Sequence, residues 1–191
     1  MKRSLVIVSA VFLAAAAFGS SVSVRHSAVA RFSARSAEMT SPARLAFRRV
    51  DIIVGQWSTD LEQRRLGRAL REQGPVGFVD VLCGYPSLGS IEVAGGREFT
   101  IRYAWQRWDR DGAHHVYLAS DEPIELTSGE FRRFADAEPL YFVELRIHAH
   151  GDGVGRLSDA RQLSVDESRN VIEMRDYDAR PLYLLMVHDE S

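Results

Sequence analysis

Phe99-Thr100-Ile101-Arg102-Tyr103-Ala104-Trp105-Gln106 is the stretch that decides the fold. Large apolar side chains stand at every second position, and a period of two marks a strand with one buried face. Asp109-Arg110-Asp111-Gly112 then supplies a turn, with glycine where a positive φ is wanted, and Val116 to Ala119 returns as the partner strand. The same reading places strands over Leu140 to Ala149, near Leu163 to Val165, over Val171 to Met174 and over Leu182 to Val187, with Gly151-Asp152-Gly153 as a turn.

Upstream of this hairpin the pattern is helical. A strand over Val50 to Val54 leads to Ser58 and Thr59, either of which can cap a helix. Glu62 stands three residues after Thr59, as a capping box requires, and Trp57 can act as a staple. Leu61, Leu66, Ala69 and Leu70 share a face, while Arg64, Arg65, Arg68 and Arg71 occupy the rest. Gly74 stops this helix, and Pro75 starts a shorter one through Leu82 that ends at Gly84 and Pro86. The expected fold is therefore α+β, mainly an antiparallel β-sheet with an N-terminal helical pair packed on it. One domain is expected over residues 50–191, near the usual single-domain size.

The N-terminus carries a different signal. Lys2 and Arg3 precede an apolar run from Leu5 to Phe18, and Ala17-Phe18-Gly19 gives small residues where a signal peptidase reads. Residues 1–19 are read as a signal peptide and the protein as exported, to the periplasm or beyond the cell, with no stable membrane span after cleavage. The alternative is an anchor, because Val22 and Val24 extend the run toward the length of a spanning helix. Residues 20–49, rich in Ser, Ala and Arg with little apolar periodicity, are read as a disordered linker.

Lys2 is the only lysine, so beyond residue 19 all 22 basic side chains are arginines, set against 26 carboxylates for a net charge of −4. Lysine chemistry is thereby excluded: Schiff bases, a pyridoxal-phosphate lysine, a phosphate-loop lysine and serine-lysine dyads. From Asp51 onward 16 arginines face 25 acids, a net of −9, which argues against nucleic acid as a partner. Cys83 is the only cysteine, so no internal disulfide can form. It follows Val81-Leu82 and is expected to be a small core residue.

Several segments carry a resemblance. Leu118-Ala119-Ser120-Asp121-Glu122-Pro123-Ile124, then Val143-Glu144-Leu145-Arg146-Ile147 leading into Gly151-Asp152-Gly153-Val154-Gly155, and finally Ile172-Glu173 with Pro181-Leu182 resemble a group of small exported bacterial proteins of no assigned function. The resemblance runs over most of residues 50–187. It implies export and fold, and it lends no catalytic residue.

His148-Ala149-His150-Gly151-Asp152 is the sharpest chemical candidate, because two histidines two apart on a strand point the same way and can bind zinc with a nearby carboxylate. The run is similar to the His-x-His-x-Asp-His of the metallo-β-lactamase fold, with Gly153 in place of the last histidine. Alternation, however, buries Tyr141, Val143, Leu145 and Ile147 and turns His148 and His150 outward, so no metal or other cofactor is expected. His114 and His115, as neighbours on a strand, face opposite sides and are assigned no role. No serine sits in a nucleophile elbow. The acidic pairs Asp121-Glu122, Asp136 with Glu138 and Asp176 with Asp178 are what any acidic domain shows by chance. Of the aromatics Tyr103, Trp105, Trp108 and Tyr117, only Trp108 is expected at the surface, as the one candidate ligand platform. The functional expectation is a non-enzymatic binding or envelope-associated module for a protein or small-molecule ligand. The alternative is a hydrolase or metal-dependent enzyme built on His148, His150 and Asp152.

Overall fold

A computed structural model describes residues 28–41, 44–94, 98–122, 124, 140–159, 163–174 and 182–191. Residues 1–19, expected to be a signal peptide, lie outside the described residues, as do Asp136, Glu138, Asp176 and Asp178.

The strands are β1 (Ala30–Ser41), β2 (Arg44–Val54), β3 (Gly89–Val93), β4 (Glu98–Ile101), β5 (Tyr103–Trp108), β6 (His114–Ser120), β7 (Tyr141–Ile147), β8 (Asp152–Asp159), β9 (Leu163–Asp166), β10 (Val171–Met174) and β11 (Leu182–Asp189). Nine of them form one antiparallel sheet in the order β4-β3-β2-β1-β11-β8-β7-β6-β5, while β9 and β10 make a separate hairpin. The two end strands of the sheet, β4 and β5, are consecutive in the chain and joined through Arg102 alone. The sheet therefore curls until its ends meet at that corner, where the Arg102 N–H donates to the Ala119 carbonyl at 3.0 Å. Closure of this kind removes the exposed edges that an open sheet would present.

Inside the curl lies one apolar cluster contributed by every strand of the sheet, including Phe32, Ile52, Ile91, Phe99, Ile101, Ala104, Leu118, Val143, Leu145, Leu157 and Val187. A second cluster lies outside it, where Tyr103, Tyr117, Ala119 and Phe142 of the outer face meet the helix and the β9-β10 hairpin. Corner geometry separates the two. Ile101 and Ala104 both face inward, so the alternation slips by one residue at Arg102 and Tyr103 is turned out. The expectation that Phe99, Ile101, Tyr103 and Trp105 share one face is thus corrected: the first two point into the curl and the second two out. A strand that turns a barrel corner commonly makes such a slip.

One helix, α1 (Asp60–Cys83), covers the outer cluster, in place of the expected helical pair and between β2 and β3. Its start is as read from the sequence: the Thr59 hydroxyl accepts from the Glu62 N–H at 3.3 Å, and the Thr59 N–H donates to the Glu62 carboxylate at 2.7 Å. Gly74 adopts a non-helical φ of 71° ahead of Pro75, so the foreseen stop and restart is a kink within a single element. Leu66, Leu70, Phe78 and Leu82 face the sheet, while Leu61 is exposed. Gln63 is the polar tie in this interface: the buried Tyr103 hydroxyl donates to its carbonyl oxygen, and its amide donates to the Asn170 carbonyl at 2.8 Å.

The expected disordered linker over residues 20–49 is overturned for its described part. Residues 30–41 are β1 and 44–49 open β2, paired in register from Ala30 opposite Val54 to Ala34 opposite Val50 and beyond. Ala30, Phe32, Ala34 and Ser36 are buried on the inner side, with Arg31 and Arg35 outward. The period of two is present, but its inner members are mostly alanine and serine, so an apolar-residue count misses it. Cys83 is corrected as well: it is exposed rather than a core residue, because α1 ends on it.

Candidate functional site

The register of the sheet lays two polar rows side by side on its outer face. Trp105, Tyr117, Glu144, Arg156 and Tyr183 stand opposite one another across β5, β6, β7, β8 and β11. The neighbouring row is Arg107, His115, Arg146 and Val154. The row beyond, Tyr103, Ala119 and Phe142, is covered by α1 and the β9-β10 hairpin. A groove of about 410 Å³ opens where that cover ends, lined by Tyr117, Glu144 and Arg156 of the first row and all of the second, together with His148, Arg169 and Glu173.

Its walls are held by specific contacts. The Glu144 carboxylate accepts from the Met174 N–H at 3.2 Å, which fixes β10 over the sheet and sets Glu173 at the rim. The Asp166 carboxylate accepts from the Ser168 and Arg169 N–H groups at 2.9 and 3.2 Å, shaping the turn that carries Arg169. On the opposite side Asp109 pairs with Arg107 and reaches His115 Nε2 at 2.8 Å, and the Arg107 Nε–H donates to the Tyr117 hydroxyl at 3.2 Å. His115 stacks on Tyr117 with 15° between the rings.

The electrostatics follow from this packing. Burial, reinforced by Arg107, holds His115 below the ordinary histidine range, against the pull of Asp109. Burial also pushes Glu173 upward, and Asp166 and Glu144 add repulsion in the same direction. At neutral pH the His115 imidazole is therefore neutral among four guanidinium groups, and the rim carboxyl of Glu173 keeps its proton to higher pH than a free glutamate does.

His114 lies on the other side of β6, facing the mouth of the curl. Trp108 stacks on it at 4.0 Å with 7° between the planes, Phe32 tilts against it at 5.9 Å, and Asp189 lies 3.5 Å from Nδ1. Burial lowers its pKa, with Asp189 opposing. Histidines with depressed values refuse protons that the unfolded chain accepts. Stability present above the ordinary histidine pKa is consequently lost as pH falls through that range. The urea midpoint should fall between pH 7.5 and pH 6, and a His114→Gln/His115→Gln variant should show a flatter pH profile over the same interval.

The candidates from the sequence are dispersed. β7 ends at Ile147, so His148 and His150 belong to the hairpin turn rather than to a strand, and both are exposed with Asp152. Backbone bonds from the His148 N–H to the Asp152 carbonyl and from the Gly151 N–H to the His148 carbonyl close that turn. His148 reaches the groove, while His150 and Asp152 are not among its lining residues. Among the described residues, no three His, Cys, Asp or Glu side chains come together as a metal-ligand set. Trp108 is 63% exposed, as expected near its turn, but its face is occupied by His114. His115, to which the sequence assigns no role, lines the groove. The Cys83 thiol is pushed up by partial desolvation and by Asp121, which keeps it protonated and a poor nucleophile at neutral pH. Asp121 is tied to Arg102 at 2.6 Å. Among the described residues no helix is long and apolar enough to cross a membrane.

Comparison with known proteins gives no match: no family model, no curated protein and no solved structure is detectably similar to this chain.

Proposed function

We propose that this is an exported binding module whose outer-face groove takes a small anionic ligand, one bearing carboxylate, phosphate or sulfate groups. One observation carries the reading. Arg107 of β5, Arg146 of β7, Arg156 of β8 and Arg169 of the β9-β10 turn come from four elements to line a single groove, with Glu144 and Glu173 as its carboxylates. This concentration of positive charge sits in a stretch of chain whose net charge is −9 from Asp51 onward. Guanidinium groups recognise planar and tetrahedral anions through paired N–H bonds, and Tyr117 adds a hydroxyl. Export, and membership of the group of small exported bacterial proteins, belong to the same proposal and rest on Lys2-Arg3, the Leu5 to Phe18 run and the segments quoted above.

Arg146 and Arg169 are the arginines to remove. Both are half exposed, and their ion pairs are loose, with Asp111 at 3.8 Å and Asp166 at 3.4 Å. Their loss should therefore leave stability within about 0.5 kcal/mol. The test titrates the protein with citrate, inorganic phosphate, sulfate and glucuronate, following the melting temperature and the groove resonances by NMR. At least one anion should raise the melting temperature, and the Arg146→Ser/Arg169→Ser variant should bind it about tenfold or more weakly, as charge-assisted pairs predict. The reading is overturned if none of the four anions shifts the melting temperature, or if the variant binds as the parent does.

A further inference from the structure

We propose that a second face, formed by the outer sides of β2, β1 and β11, docks on an anionic phospholipid surface. The six arginines between residues 20 and 50 face Glu38 as the single acid of that segment. Folding aligns several of them: Arg31 and Arg35 project outward from β1, and Arg35 stands opposite Arg49 of β2 and Leu185 of β11. Between them runs a groove of about 400 Å³ lined by Arg35, Arg48, Arg49, Phe47, Met186 and His188. Among the described residues, Asp51, on Arg49 at 2.8 Å, and Glu190 are the acids that act on Arg49.

Two large apolar side chains stand in this basic field. Phe47 is 49% exposed and Met186 is 58% exposed. The Met186 placement is imposed by the backbone. The register of β11 slips between Leu184 and Val187, both of which stay buried, and Met186 takes a φ of 52° that throws its side chain outward. Few residues other than glycine adopt that conformation, and backbone strain of this kind gathers at functional surfaces.

The chemistry selects the occupant. Arginines attract anionic headgroups, and a phenylalanine beside a flexible methionine gains by entering the boundary between headgroup and acyl chain. A two-fold dimer through this face would set arginine against arginine. A purely polyanionic partner would leave Phe47 and Met186 without an apolar phase. The proposal concerns a face separate from the anion groove and stands independently of it.

Flotation of the full chain with vesicles tests it, comparing phosphatidylcholine alone with vesicles in which about a third of the lipid is phosphatidylglycerol, at low and high salt. Binding should require the anionic lipid and weaken in high salt. The Arg35→Gln/Arg49→Gln variant should partition about 25-fold less, about fivefold for each arginine removed, whereas the Arg64→Gln/Arg68→Gln variant, which discharges the solvent side of α1, should bind like the parent. Met186→Gly should also weaken partitioning several-fold while keeping or raising the melting temperature, since glycine accepts the positive φ; a residue serving the fold alone would not separate the two readouts. Equal flotation with neutral vesicles would assign binding to the Leu5 to Phe18 run and overturn the proposal. So would flotation unaffected by the substitutions, or a concentration-dependent oligomer abolished by them without any vesicle binding.

Discussion

Phe32→Ala should lower stability by about 3–5 kcal/mol, the usual loss for a phenylalanine removed from a core. Phe32 is 1% exposed on the inner side of β1 and packs against the His114 ring. β1 is a central strand, bonded to β2 on one side and β11 on the other, so the cavity would open in the middle of the wall that closes the sheet. Single domains hold only about 5–15 kcal/mol in all, and this one substitution would consume a large part of that. Urea unfolding of the parent and the variant measures it, with the slope unchanged if the native state keeps its closure. Arg31→Ala, one residue away and facing solvent, should stay within about 0.5 kcal/mol. A Phe32→Ala protein as stable as the parent would return this segment to the status of a linker.

That contrast explains how far the fold was legible. Strands with large inward side chains announce themselves: Val171 to Met174 is a strand over the span expected, the strand expected over Leu182 to Val187 runs on to Asp189, and the helix cap is Thr59, one of the two residues the sequence offers. Three strands were missed for one physical reason. β1 buries Ala30, Ala34 and Ser36, β8 buries Gly153 and Gly155, and β3 begins at Gly89. A curled sheet needs small inward residues where its walls approach, and small residues carry no hydropathy signal. A Cβ on Gly153 would stand 2.5 Å from the Arg146 carbonyl oxygen, a backbone atom, so a residue read as part of a turn is a strand position that favours glycine.

The groove was less legible still, because it is a product of register. Arg107, His115, Arg146 and Arg156 lie on four strands, and nothing in their spacing along the chain announces that they are neighbours. A faint signal existed in the outward positions of the strands that were read. Arg107 follows the Trp105 alternation by two, and Glu144 with Arg146 occupies the polar face of β7. His148 and His150 give the stronger sequence signal, because their closeness suggests a ligand pair. The hairpin turn gives them separate surroundings, whereas strand pairing converges residues far apart in sequence.

Gly89→Ala puts the strongest demand on this account of small inward positions, and should cost about 3 kcal/mol, at the upper end for overpacking. A Cβ at residue 89 would lie 2.1 Å from the Ile53 carbonyl oxygen and 3.0 Å from the Val54 Cα, both backbone atoms of β2. Backbone cannot swing aside as a flexible side chain does. β2 is further pinned by its pairing with β1, where Ile53 stands opposite Arg31 and Val54 opposite Ala30. To admit one methyl group, β3 must separate from β2 at the point where Val54 faces Gly89, beside the bonds from the Gly55 and Gln56 N–H groups to the Leu88 carbonyl. The loss should appear as a lower urea midpoint and as faster amide exchange at Gly55, Gln56 and Leu88, with exchange in the β6-β7 pair little changed. A Gly89→Ala protein with parental stability would mean that β3 sits farther from β2, and that the closure at this corner is looser than the register requires.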